Sequence, residues 1–231
     1  MGVFEGRAHL IACEVFRDEF EAVSPSHVVR IYLPQGLHRT PGEMPEAIQE
    51  AIDAASDRAD LILLGYGLCS NGVVGVVARR APIILPRVHD CIALLLGSRE
   101  RYEAEVAACA GTYYITSGWA RYGTTSLSCY KNEYLPKYGE EDARYIAGEL
   151  LKHYKRVAFI DHGAGDGEFG RAHAREFAEV FALEYAEIPG SLDYLRRLVR
   201  GPWDDVDFVR VPPGQAVSST PFMSLQSIQL P

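Results

Sequence analysis

Short apolar runs and stretches of helical spacing alternate along almost the whole chain, and this alternation restricts the available folds more than any other feature. Leu61-Ile62-Leu63-Leu64-Gly65 carries no polar side chain. Such a run reads as a strand covered on both faces, as in a parallel sheet flanked by helices. Ala8 to Cys13 predicts a first strand of this kind, Val28 to Leu33 a second and Pro82 to Leu85 another. Pro41 to Ala55 sets Met44, Ile48 and Ile52 at helical spacing, with Pro41 and Pro45 suited to its first turns. Asn71 to Arg80 and Asp90 to Ala108 read as helices, and Thr112 to Thr116 as a β-branched and aromatic strand.

A second series follows, with helices over Glu140–Tyr154, Glu168–Phe181 and Leu192–Arg200 and strands over Arg156–Asp161, Leu183–Ile188 and Asp207–Val211. Strands joined through helices form parallel sheets by right-handed crossovers. The expected architecture is α/β: two Rossmann-like lobes, residues 1–121 and 139–211, with parallel sheets flanked by helices. A Tyr-rich connection at 122–138, with Tyr122, Tyr130, Tyr134 and Tyr138, is expected to form a flap. The tail at 212–231, rich in Ser, Gln and Pro, is expected to wrap over the body or over a second subunit, which would give a homo-oligomer.

The 48% hydrophobic and 23% charged residues are those of an ordinary folded domain. A net charge of -8 with no Lys/Arg stripe argues against a nucleic-acid partner. No basic stretch leads into a long apolar one at the N-terminus, so no secretory signal is expected. The apolar runs are too short to cross a bilayer. A cytoplasmic chain keeps its thiols reduced, so five cysteines point to metal binding or catalysis rather than disulfides.

Ligands of open parallel sheets bind beyond the carboxyl ends of the strands. Cys13 ends the first strand, Cys69 follows the Leu61 strand, and His89 and Cys91 follow the Ile83 strand. Three strands therefore deliver thiol and imidazole groups to one edge, a donor set suited to Zn²⁺ or, for the cysteines, an iron–sulfur cluster. Cys69 and Cys91 each precede an expected helix, whose dipole would favour thiolate. The glycines around Cys69 would allow positive φ and close backbone approach. Glu14 and Asp90 are carboxylates placed to orient His89 or to act in catalysis. Tyr113, Tyr114 and Trp119 are candidates to line a pocket for a flat cofactor or a methylated cation, Tyr66 to bind a cofactor, and Arg99 and Arg101 to clamp an anion and bind a cofactor. Asp161-His162-Gly163-Ala164-Gly165-Asp166-Gly167 ends a second-lobe strand without dinucleotide-motif spacing, and is expected to face the first lobe. Cys109 is expected in a helix and Cys129 in the connection.

Four segments together resemble a microbial domain family without assigned activity: Leu10-Ile11-Ala12-Cys13-Glu14, Gly65-Tyr66-Gly67-Leu68-Cys69-Ser70-Asn71-Gly72, Pro86-Arg87-Val88-His89-Asp90-Cys91 with Leu95 to Tyr102, and Gly111-Thr112-Tyr113-Tyr114. Members of that family are often associated with corrinoid-dependent methyl transfer in anaerobes, so the resemblance implies a one-carbon or metallocofactor setting. His89-Asp90-Cys91 is also similar to the His-x-Cys pair of zinc-dependent thiol methyltransferases that work with corrinoid proteins. Their further cysteine lies downstream, whereas Cys13 and Cys69 lie upstream here.

The resulting expectation is a zinc protein of corrinoid-linked one-carbon metabolism, with Cys69, His89 and Cys91 as ligands and Cys13 as a fourth. An open zinc position would hold a small thiol as thiolate for attack on a methylated substrate, with a corrinoid protein as the partner. The alternatives are a non-catalytic module that binds or escorts a corrinoid or metallocofactor, and an iron–sulfur protein.

Overall fold

The computed structural model describes Phe4, residues 6–40 and residues 42–223 of the 231-residue chain. Among the described residues there are eight strands: β1 (Ala8–Cys13), β2 (Val29–Leu33), β3 (Leu61–Gly65), β4 (Ile83–Pro86), β5 (Thr112–Ile115), β6 (Arg156–Asp161), β7 (Glu184–Pro189) and β8 (Phe208–Val211). They form two sheets, one in the order β2-β1-β3-β4-β8 and one in the order β5-β6-β7. Every pairing is parallel except β4 with β8. The α/β class with parallel sheets is thus as the alternation predicts. β1 and β3 are buried at every position, which is why their sequences carry so little polarity.

Sheet membership does not follow the expected division of the chain. β5 was expected to close the first series, yet it pairs with β6; β8 was expected to end the second, yet it lies against β4. Residues 1–121 therefore do not complete one sheet and 139–211 the other. Alternation of elements fixes that strands are parallel, but not which strand each one meets. The β6 side chains divide between the two sides of its sheet. Ala158 and Ile160 join the large core of the first sheet, whereas Val157 and Phe159 pack with Phe177 of the helix Gly167–Val180.

The helix Met44–Ala55 buries Met44, Ile48, Ile52 and Ala55 against the first sheet, the stripe its spacing predicts. Pro45 sits in its first turn, and Pro41 lies outside the described residues. The expected helix over 71–80 is absent; the segment forms turns. Gly75 has φ +89°, and the N–H groups of Gly75 and Ala78 donate to Val217 and Gln215 of the tail. Those donors are consequently lost to any i→i−4 ladder. The tail thus lies over the body as far as Met223, anchored by Phe222 at 0% exposure; residues 224–231 lie outside the described residues.

The long helix expected over 90–108 divides into Ile92–Leu96 and Arg99–Ala108. Gly97 at φ +89° ends the first, and the Ser98 side chain caps the second by accepting from the Arg101 N–H. Cys109 sits just past the second helix, at its C-cap. The Tyr-rich connection is helical: Ser117–Tyr122, Ser126–Cys129, a π-turn at Tyr130–Tyr134, and Leu135–Leu151 kinked at Gly139. Tyr130 packs edge-on against Phe181, which fastens this region to the back of the second sheet. Among the described residues no helix is long and apolar enough to cross a membrane.

Candidate functional site

The order of the first sheet reverses direction between β1 and β3, because β2 lies on one side of β1 and β3 on the other. Crossovers leave opposite faces at such a point and open a crevice beyond the strand ends. Cys13 is the last residue of β1, and Cys69 follows β3 across that crevice. β4 then delivers His89, Asp90 and Cys91 beside them.

The turn carrying Cys69 is strained. Cys69, Ser70 and Asn71 have φ of +46°, +56° and +68°, three successive non-glycine residues in the left-handed region. Each costs on the order of 1–2 kcal/mol. The chain is held there by N–H donation from Leu68 to the Val88 carbonyl (2.8 Å) and from Cys69 to the His89 carbonyl (3.2 Å). The neighbouring glycines serve close approach instead of positive φ. A Cβ on Gly67 would lie 3.1 Å from the Val88 carbonyl oxygen, and one on Gly72 would lie 2.4 Å from the Met44 sulfur.

This turn sets the Cys69 Sγ 3.1 Å from the Cys91 Sγ, and the Gly67 N–H donates to the Cys91 sulfur at 3.3 Å. The hydrogen bond to Cys91, together with burial, holds the Cys69 thiol well above the usual thiol range. This overturns the expectation that a helix dipole would lower it, since no helix follows Cys69 and that of Cys91 has only five residues. Burial pushes the Cys13 thiol up to about 12, and negative charge on Cys91 adds to the rise. Burial likewise raises Tyr66, whose hydroxyl senses all three thiols and has no hydrogen-bond partner.

Of the four expected metal ligands, Cys69 and Cys91 meet, and Cys13 lies within electrostatic reach of Cys91. His89 is exposed at the rim. Among the described residues no group of three or more His, Cys, Asp or Glu side chains is arranged to hold one metal ion. Two thiolates on tetrahedral zinc, at Zn–S of about 2.3 Å, stand roughly 3.8 Å apart. The pair would therefore have to open by about 0.7 Å to seat zinc. The donors suit a soft ion, and the present spacing is that of a thiol–thiol hydrogen bond.

The remaining expected residues fall into two groups. Asp90, Tyr114 and Trp119 line a cavity of about 480 Å³ that opens beside Cys69 and Cys91 and extends to β5. Asp90 Oδ1 accepts from the Ile92 N–H at 2.8 Å, so it caps the helix Ile92–Leu96, and burial raises its carboxyl group. Glu14 instead accepts from the Gln35 N–H (2.8 Å). Tyr66 lies behind the thiols, stacked on His38. Arg99 pairs with Asp207 at 3.6 Å, and Arg101 donates to the carbonyls of Leu96 and Pro189. Neither arginine lines the cavity. Nor do the flap tyrosines Tyr122, Tyr130, Tyr134 and Tyr138.

Sequence reasoning missed Tyr102, His38, His153 and Tyr154, which also line the cavity. Tyr102 and Val106, one helical turn apart and both buried, are a legible inward stripe on Arg99–Ala108. No local pattern marks His38 or His153.

The Cys13 thiol has a consequence for stability. Unfolded, it ionises near its ordinary value of 9.0; folded, it holds its proton to about 12. Its stabilising contribution is full below pH 9 and is lost as pH rises toward 12. Denaturant titrations at pH 8 and 10.5 should show the native protein losing about 2 kcal/mol more over this interval than Cys13→Ala. Equal losses would contradict the assignment.

No curated protein and no solved structure matches the chain. One family model does, over residues 32–199, which include Cys69, His89, Cys91 and all of the cavity lining except Phe16. That span is the greater part of the chain, and the protein therefore belongs to the family described as "Protein of unknown function (DUF1638)".

Proposed function

We propose that the protein binds a soft metal ion, zinc by preference, through Cys69 and Cys91, and presents it to a small molecule held in the adjoining cavity. The observation that carries this reading is the 3.1 Å approach of two thiols from separate strand ends, held by a strained turn. Strain of this kind collects at functional sites. Zinc would supply charge that keeps both thiols ionised despite burial, and an open position for a substrate thiol. Cys13 is the nearest candidate for a third sulfur ligand, and His89 would complete the set if its side chain turned inward from the rim.

A thiol held as thiolate beside a methylated substrate is the arrangement needed for methyl transfer, which is the reaction this reading favours. The corrinoid link rests on the resemblance of the segments around Cys13, Cys69 and Cys91. A cavity of about 480 Å³ is of a size for a drug-sized ligand and is too small to enclose a whole corrinoid. A corrinoid would therefore act from outside, carried by a partner protein. An iron–sulfur cluster is the second reading, favoured by the cysteine content of the same edge.

Protein purified without chelators should carry about one equivalent of zinc by elemental analysis, and Cys69→Ser or Cys91→Ser should carry less than a tenth of that. Binding should strengthen with pH, because the raised Cys69 thiol must release its proton to the solvent. Native protein free of bound metal, and unable to take up zinc at pH 8, would overturn the proposal. Brown protein with iron and sulfide in its place would select the cluster.

A further inference from the structure

The walls of the cavity carry a second message. Six aromatic rings line it: Phe16, Tyr102, Tyr113, Tyr114, Trp119 and Tyr154. Asp90 is a carboxylate in the lining, and among the described residues no lysine or arginine contributes to it. Arg156 stands against the Tyr114 hydroxyl, behind the lining, and its charge is matched by Glu105 at 2.6 Å; it also donates to the Thr112 hydroxyl at 2.7 Å. The imidazole of His38 is held neutral by burial.

Aromatic faces carry negative charge, and a carboxylate adds to it, so an anion entering this cavity would find no fixed counter-charge. A cation would find several ring faces within one small volume. A cation without N–H donors suits the cavity best, since it brings no donors that need acceptors along mainly aromatic walls. Tyr102 and Tyr114 stand edge to face with centroids 6.3 Å apart, so their rings present differently oriented surfaces. The Trp119 indole N–H is buried without a partner, a donor available to a polar substituent on the ligand.

We infer that the cavity binds a small methylated onium cation, a quaternary ammonium or sulfonium group, with Asp90 as its counter-charge. The inference rests on reading the cavity as the substrate pocket, and it does not depend on the metal. It deepens the proposed function by naming the class of methylated substrate.

Calorimetric titration with choline and with its neutral isostere 3,3-dimethylbutan-1-ol separates charge from shape. Choline should bind at least about tenfold more tightly than the isostere. Trimethylsulfonium should share the preference. Asp90→Asn, which preserves the cap on Ile92, should weaken choline about five- to tenfold and leave the isostere unchanged. Trp119→Leu should remove most of the preference. Equal binding of choline and isostere, or no saturable binding of either onium compound, would overturn the inference. The same titration on zinc-free Cys69→Ser/Cys91→Ser protein keeps the two readings apart. Onium binding retained there supports this inference even if native protein proves to bind no zinc. Zinc bound without onium preference leaves the metal proposal standing alone.

Discussion

Replacing Glu19 with alanine should destabilise the protein by about 1–2 kcal/mol, the low end of the roughly 1–3 kcal/mol cost of leaving a buried polar group without its partner. Glu19 belongs to the helix Arg17–Val23 that follows the β1 strand, and its side chain is 0% exposed. Its Oε1 lies 3.0 Å from the Nε2 of His162, in the loop after β6, whose side chain is 1% exposed. The approach is close but off-line for a hydrogen bond, which argues for the low end of the range. The Ala164 N–H donates to His162 Nδ1 at 3.3 Å, so a neutral imidazole carries its proton on Nε2, facing Glu19.

This pair joins the first sheet's helix layer to the carboxyl edge of the second sheet, and it is sealed by a backbone contact. A Cβ on Gly118 would come within 2.1 Å of the Val15 carbonyl and 3.2 Å of Glu19 Oε2. Water cannot readily replace a lost partner in so tight a space. Glu19→Ala strands the imidazole, and His162→Ala strands the carboxylate, so each single change should cost most of what the double change costs. Denaturant unfolding of the four proteins of this cycle should give a coupling of at least about 1 kcal/mol. Additive losses would mean that the two groups are buried independently. Glu19→Leu/His162→Leu should be milder than either alanine variant, because it buries no unpaired polar atom.

The Asp161–Gly167 loop was legible as a segment facing the first lobe, but its partner was not. The helix Arg17–Val23 itself escaped a reading that passed straight from β1 to β2. Phe16, Phe20 and Val23 do recur at helical spacing there, all buried, and would have marked it. A glutamate at that spacing reads as a solvent-facing residue. Only the three-dimensional neighbourhood shows that it faces an imidazole.

The strands, by contrast, were readable almost to the residue, because strands covered on both faces have to be continuously apolar. Ala8–Cys13 and Arg156–Asp161 fall where the pattern places them. Pairing was not readable. Nothing local in Phe208–Val211 says that it should run antiparallel beside β4. The same limit applies to the site. That Cys13, Cys69 and Cys91 lie at or just beyond strand carboxyl ends followed from the alternation of elements and the rule for parallel sheets. The left-handed turn at Cys69–Ser70–Asn71 could not be foreseen in non-glycine residues, and it is this turn that sets the sulfur spacing.

That spacing makes a strong prediction. Metal-free protein treated with the thiol oxidant diamide should form one intramolecular disulfide, between Cys69 and Cys91, and should then bind no zinc. Each closure removes two hydrogens from the protein and adds them to the diamide. The sulfurs need to approach by only about 1 Å to reach a bond of roughly 2.05 Å. Attack requires a thiolate, and Cys69 is held in its thiol form by its hydrogen bond to Cys91 and by burial. The reaction should therefore be slow at pH 7 and accelerate above pH 9. Cys109 and Cys129 should stay unpaired, since one caps the end of Arg99–Ala108 and the other contacts Glu133. Peptide mass mapping identifies the linked pair, and prior loading with zinc should suppress the linkage. A Cys13–Cys91 disulfide, or oxidation unaffected by zinc, would mean that the 3.1 Å pair is not the one that chemistry selects, and the metal reading would lose its anchoring residues.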